Sequence, residues 1–296
     1  MAQITANGIN IEYDTFGNQA ARPLLLVMGL GGQMIHWRDE FCSLLADRDH
    51  FVIRYDNRDA GLSEKFDHLG TPDMMEIAGR MLAGEPPGAP YSLDDMAADA
   101  FGLLDTLDIE AAHICGVSMG GMIVQTMALN SPHRVHSLTS IMSSTGNPEL
   151  PPSSDEAMAA MLSPPATNRQ EAIERTVAVS SVIGSPAYPV PEDEVRQRAA
   201  EGYDRSFHPQ GVARQMAAIA SHGNRRPALE ELELPALVIH GDADPLVRLD
   251  GGHDTHLALR GSKLMVLEGM GHDLPQPLWP GVIDAIDALT REAQSG

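Results

Sequence analysis

Short apolar runs, each closed by Gly, Asp or Pro, recur along the chain. Residues 23–28 read Pro-Leu-Leu-Leu-Val-Met, and residues 51–55 read Phe-Val-Ile-Arg-Tyr. Residues 112–117, 135–142, 236–240 and 263–267 have the same character. Runs of this length without polar alternation are the mark of strands buried on both faces. Residues 9–16 alternate loosely and predict a half-exposed strand. Helical patterns fill the gaps: 37–47, 93–107 behind an N-capping Ser92, 119–130 stopping before Pro132, 249–260 and 279–293. Strands alternating with helices predict an α/β fold, a mostly parallel sheet with helices on both faces.

Two stretches break the alternation. Residues 64–91 hold a short helical pattern, 72–82, followed by a Gly- and Pro-rich segment. Residues 145–225 hold Pro-rich loops and helical patterns near 168–183, 191–202 and 209–222, with no strand-like run. The expected organisation is one catalytic domain, 1–144 and 226–296, interrupted by a helical cap, or lid, at 145–225. No internal repeat or low-complexity tract is present.

Composition narrows the function classes. Hydrophobic residues make up 43% and charged residues 21% of the 296, an ordinary globular balance with room for a large core. No run approaches the ~18 apolar residues of a membrane span. The N-terminus has neither a basic start nor an apolar segment of the secretory kind. The formal net charge of −21 argues against nucleic acid, anionic membrane surfaces and strongly anionic substrates. The two cysteines, Cys42 and Cys115, make no disulfide framework and no Cys-x-x-Cys pair, so a reducing cytoplasmic setting is expected.

The candidate chemistry lies at strand ends. Gly116-Val117-Ser118-Met119-Gly120 follows the run at 112–117 and leads into the helix at 119–130. A serine on a strand–turn–helix elbow between small residues is positioned to act as a nucleophile. It needs a base, and the base needs an orienting acid. The run at 236–240 leads into Gly241-Asp242-Ala243-Asp244-Pro245, and the run at 263–267 into Glu268-Gly269-Met270-Gly271-His272. His272 is the expected base. Asp244, biased to an extended or turn conformation by the following proline, is favoured over Asp242 as its partner. Asp242 is expected to close the turn by bonding backbone amides. The oxyanion is expected to rest on the backbone N–H of Met119 and of Leu30, the latter in the glycine-rich loop Met28-Gly29-Leu30-Gly31-Gly32. That loop has neither P-loop nor dinucleotide-fold spacing. His36 and Trp37 follow it as candidate pocket-lining residues, and Met158, Met161 and Met216 as candidate contributors from the cap. His253 and His256, with Asp250 and Asp254, could hold a metal by spacing, but a solvated helix face is the simpler reading, and no metal is assigned.

Five motifs in this order resemble the α/β-hydrolase superfamily over nearly the whole chain: the Met28–Gly32 loop, Asp56-Asn57-Arg58-Asp59-Ala60-Gly61-Leu62-Ser63, the Ser118 elbow, Gly241–Pro245 and Gly269–His272. The resemblance implies the α/β-hydrolase fold with an eight-stranded sheet, supports Asp244 as the acid, and implies a structural role for Arg58. Within the superfamily the chain is most similar to bacterial esterases related to aclacinomycin methylesterase. Met28 departs from the pattern, because most relatives have His there. The resemblance implies a cofactor-free serine carboxylesterase acting on a small to medium apolar ester. The alternatives are perhydrolase, lactonase or C–C bond hydrolase chemistry on the same residues, or a non-catalytic binding member of the fold. The partner expected is a small-molecule ester; the oligomeric state stays open.

Overall fold

The computed structural model describes residues 1–295. Eight strands form one sheet: β1 (Ala2–Ala6), β2 (Ile9–Phe16), β3 (Arg22–Val27), β4 (His50–Tyr55), β5 (Ala112–Val117), β6 (Val135–Ile141), β7 (Ala236–Gly241) and β8 (Lys263–Leu267). Their order is β1-β2-β4-β3-β5-β6-β7-β8. β1–β2 and β2–β4 pair antiparallel, and every later pair is parallel. From β3 the chain steps outward to β4, then returns to place β5 on the other side of β3. The strand order therefore reverses between β3 and β5, where open α/β sheets place ligands beyond the strands' carboxyl ends.

Successive side chains of a strand point to opposite faces, so the continuous apolar runs supply two cores. Leu25 and Val27 of β3 join Ile53, Ile114, Leu138 and Val238 in one core, covered by α3 (Leu93–Thr106) and α4 (Met119–Asn130). Leu24 and Leu26 join Val52, Cys115, Leu237 and Ile239 in the other, covered by α1 (Asp39–Ala46) and α11 (Trp279–Ser295). α3 starts with a capping box: Ser92 Oγ accepts from the Asp95 amide, and the Asp95 carboxylate accepts from the Ser92 amide. Cys42 and Cys115 are both buried thiols, and burial pushes Cys42 up to about 12.

The structure adds elements that the apolar pattern did not predict. β1 is an exposed edge strand turned back on β2 by Asn7-Gly8, both at positive φ, a turn signal present in the sequence. Between β6 and β7 run α5 (Asp155–Met161), α6 (Arg169–Ile183), α7 (Glu192–Arg205), α8 (Pro209–His222) and the short α9 (Arg226–Leu229). Of these, α5 and α9 are additional, and α7 continues past 202. α2 (Met74–Leu82) starts on an Asp73 cap within the other irregular stretch. The remaining helix, α10 (Leu249–Ala258), precedes β8. No described helix is long and apolar enough to cross a membrane.

Charged and polar side chains fasten the helical insertion to the sheet. Arg214 of α8 is 1% exposed and forks onto Asp59, with Nε–Oδ2 and Nη2–Oδ1 both 2.8 Å. Tyr91 Oη and the Phe66 amide donate to the same carboxylate. Arg205 of α7 lies 2.7 Å from Asp56. Gln33 donates to the carbonyls of Gly202 and Ser206, at 2.7 and 2.9 Å. Arg58 turns the other way, forking onto buried Asp99 at 2.6 and 2.8 Å between Phe66 and Tyr91.

Candidate active site

Ser118 occupies the single position between the end of β5 and the start of α4. Its backbone sits at φ 53° and ψ −120°, a region that costs a non-glycine residue ~1–3 kcal/mol and persists only when its surroundings enforce it. Three contacts enforce it here. The Ser118 amide donates to Ile141 O at 2.9 Å, and its carbonyl accepts from Ser143 Oγ at 2.8 Å and from the Met122 amide at 3.2 Å. Small neighbours permit the crossing: a Cβ on Gly116 would lie 2.1 Å from Gly120 O, and one on Gly120 would lie 2.2 Å from Val27 O.

The loops after β7 and β8 bring two more polar side chains to this point. His272 Nε2 is 3.0 Å from Ser118 Oγ, and Nδ1 is 2.7 Å from Asp244 Oδ2. Asp244 is buried, and its Oδ1 accepts from the Leu246 and Val247 amides, each at 2.9 Å. Asp242 points elsewhere: its Oδ1 accepts from the Gly269 amide at 2.7 Å, joining the two loops. The insertion holds the histidine loop from above. The His272 amide donates to Ile183 O at 2.6 Å, and the Gly271 amide to Ser185 Oγ at 2.9 Å. Ser185 in turn donates to Asp273, whose carboxyl burial keeps above the usual range despite that bond.

Behind Asp244 lies His240, which no motif marked. Its ring is buried, with Nε2 2.7 Å from Val247 O and 3.6 Å from Asp244 Oδ2. Burial lowers its pKa, against the pull of the Val247 carbonyl and Asp244. The ring is therefore neutral at pH 7, with Nε2–H donating to Val247 O.

The glycine loop after β3 faces Ser118 from the far side of the sheet's reversal. A Cβ on Gly29 would lie 3.2 Å from Ser118 Cβ. Among the described residues, neither the Leu30 nor the Met119 amide has a hydrogen-bond acceptor. The neighbouring Gly31 amide donates to Gln215 Oε1 at 2.8 Å, and Gln215 Nε2 donates to Arg58 O at 2.8 Å. Fully buried Gln215, on α8, thus ties the insertion to the glycine loop. Met28 O accepts from Asn57 Nδ2 at 2.9 Å, and the Met28 side chain joins the second core.

Two cavities adjoin the site. One, about 700 Å³, has Met28, Val117, Met142 and His272 on its wall, together with His36 and Trp37. Trp37 stacks on Phe41 with ring centroids 5.4 Å apart. The other, about 610 Å³, lies among α5–α8 and includes His36, Met161 and Met216. Met158 lines neither. The His36 ring is exposed and lines both cavities. On α10, Asp254 bonds Thr145, Asn147 and Arg226, and His256 bonds Ser262. Among the described residues, no group of three His, Cys, Asp or Glu is placed to hold a metal ion.

The profile of the family described as the alpha/beta hydrolase fold matches residues 22–275. The chain belongs to that family, and it is an enzyme, a hydrolase of the carboxylesterase type. Over an alignment 313 positions long that covers 98% of each chain, it is 31% identical to rhodomycin D methylesterase DnrP of Streptomyces peucetius. It is 29% identical to 3-oxoadipate enol-lactonase 2 of Acinetobacter baylyi, over 90% of this chain and 87% of that one. Among solved structures, a meta-cleavage product hydrolase from Pseudomonas fluorescens superposes with a TM-score of 0.78 at 20% identity, covering 99% and 98% of the two chains.

Proposed function

We propose that the protein hydrolyses carboxylic esters through an acyl-enzyme on Ser118, with His272 as base and Asp244 as its orienting acid. One observation carries the reading: a single imidazole spans Ser118 Oγ at 3.0 Å and a buried carboxylate at 2.7 Å. Nδ1–H donates to Asp244, which leaves Nε2 as the acceptor for the serine proton. As Oγ attacks the ester carbonyl, the imidazolium that forms is stabilised by Asp244. The Leu30 and Met119 amides, which have no acceptor among the described residues, receive the developing oxyanion. His272 then protonates the leaving alkoxide. The alcohol departs, and His272 takes a proton from water, which attacks the acyl carbonyl. The second tetrahedral intermediate collapses to free acid as His272 returns the proton to Ser118 Oγ.

In this reading the helices of 145–225 act as a lid. They close the top of both cavities and reach the site through His272 N–Ile183 O and Gly31 N–Gln215 Oε1. The largely apolar walls suit a small to medium apolar ester, and likeness to a methylesterase across the whole chain makes methyl esters the first substrates to try. Lactone opening on the same residues is a second reading, favoured by the likeness to an enol-lactonase.

The test is a panel of p-nitrophenyl and methyl esters of graded bulk, with labelling by a fluorophosphonate. Turnover of at least one ester, labelling at Ser118, and a ~10⁴–10⁶-fold fall in kcat in Ser118→Ala with unchanged melting are expected. Undiminished turnover in Ser118→Ala refutes the proposal.

A further inference from the structure

The cavity among the lid helices contains a charge arrangement that ester hydrolysis does not use. It meets the His272 cavity at His36, Thr176 and Arg198, which line both. Its walls are otherwise largely apolar, with Met161, Leu162, Tyr203, Phe207, Val212 and Met216 among them. Two guanidinium groups, Arg175 of α6 and Arg198 of α7, also line it.

Neither guanidinium is satisfied. Arg175 donates from Nη2 to Met161 O at 3.0 Å, and its Nε is buried with no acceptor among the described residues. No carboxylate lies within ion-pair distance of Arg175 among those residues. Arg198 pairs with Glu194 through Nη2, but its Nε is likewise buried without an acceptor. The one carboxylate on the cavity wall, Asp59, is already taken by Arg214, Tyr91 and the Phe66 amide. A guanidinium on an apolar wall without a counter-charge favours an anion beside it. A ligand carboxylate supplies that counter-charge. A planar, forked donor is matched in shape by a carboxylate.

We infer that the lid cavity is a carboxylate subsite: the substrate is a half-ester whose free carboxylate binds the Arg175 guanidinium, with Arg198 beside it, while its ester reaches Ser118. This rests on the ester-hydrolase reading and replaces its apolar ester by one that carries a free carboxylate. It also reverses the expectation drawn from net charge. A chain of −21 repels anions at its surface, yet it lines this cavity with an uncompensated cation. Specificity then follows because a neutral ester leaves the Arg175 cation without a counter-charge.

The experiment measures binding apart from chemistry. Monomethyl glutarate, adipate and suberate are titrated calorimetrically into the Ser118→Ala protein, each against the methyl ester in which CH3 replaces the carboxylate. At least one half-ester is expected to bind tenfold or more tightly than its neutral counterpart. Arg175→Met in the same background is expected to erase that preference. Arg175→Gln, which can keep the bond to Met161 O, serves if the methionine variant does not fold. Equal binding of charged and neutral esters at all three lengths overturns the inference, as does a preference that survives loss of Arg175. Turnover of p-nitrophenyl esters by the unsubstituted protein tests the hydrolase reading separately.

Discussion

Replacing Asp244 with Asn tests the proposed site at its least exposed member. The carboxylate accepts three hydrogen bonds: Oδ1 from the Leu246 and Val247 amides, Oδ2 from His272 Nδ1. An asparagine has one acceptor oxygen and an NH2 group. Two fixed backbone donors face the Oδ1 position, so the oxygen must take that place and the NH2 must face His272. Turned the other way, it would set an NH2 against two N–H groups in a buried site. The NH2 then donates to Nδ1, and the proton moves to Nε2, which points at Ser118 Oγ 3.0 Å away. The base now presents a proton where it should accept one. Loss of the base through a wrong tautomer costs about 10⁴ in kcat, or ~5.4 kcal/mol of barrier. The loop bonds survive, so melting should shift little. Stopped-time assays on the best p-nitrophenyl ester give kcat, and circular dichroism gives the melting point. A kcat within tenfold of the unsubstituted protein, with the fold intact, refutes the tautomer argument and the role given to Asp244.

Three further outcomes follow from named contacts. Gln215→Met removes the acceptor of the Gly31 amide and the donor to Arg58 O; because it loosens the loop carrying Leu30 without deleting an oxyanion donor, kcat should fall about 10–100-fold, less than the ~10²–10³ of outright donor loss, and an effect confined to KM would contradict this. Arg214→Met strands the buried Asp59 carboxylate and should cost ~3–5 kcal/mol in urea unfolding. Burial raises the Asp59 pKa, but Arg214, the Phe66 amide and Tyr91 together hold it below the usual range. Its contribution is present above the unfolded pKa of ~3.9 and lost as pH falls through the lower folded value, so the gap between the two proteins should narrow below about pH 4; a constant gap from pH 7 to 3 rejects it. His113, buried beside Ser137 Oγ, has its pKa pushed down to about 3 by burial first, then by His136, His50 and Arg22. The unfolded chain takes up that proton near pH ~6.5, so stability should decline with falling pH by up to ~1.4 kcal/mol per unit. His113→Asn should flatten the profile, and an unchanged slope would exclude His113 as its source.

Much of the fold was legible because burial on both faces of a sheet leaves a local trace. The runs at 23–28, 51–55, 112–117, 135–142, 236–240 and 263–267 coincide with β3–β8 to within a residue or two, and Ser92 caps α3 as its position implied. The edge strand β1 left no such trace, since its outer residues face water, although Asn7-Gly8 marked the turn. α5 is a short helix with one buried residue, Ala157, too brief to show a periodic stripe.

The candidate site divides in the same way. Ser118, Asp244 and His272 stand at strand ends, between glycines or before a proline, and such punctuation is written locally because strained or tightly turned backbone admits few residue types. Asp59, His240, Gln215, Arg175 and Arg198 carry no local mark. Asp59 belongs to a motif, but its partner Arg214 is 155 positions away. Gln215 meets Gly31 across 184 positions. Arg175 and Arg198 define a subsite only because their helices pack together over a cavity. The sequence by itself determined which segments are strands and which turns can present a reactive side chain, because those follow from neighbours within a few residues. What the helical insertion grips, how the glycine loop is held and which charge faces the cavity depend on side chains far apart in the chain, and only tertiary packing brings them within hydrogen-bond reach.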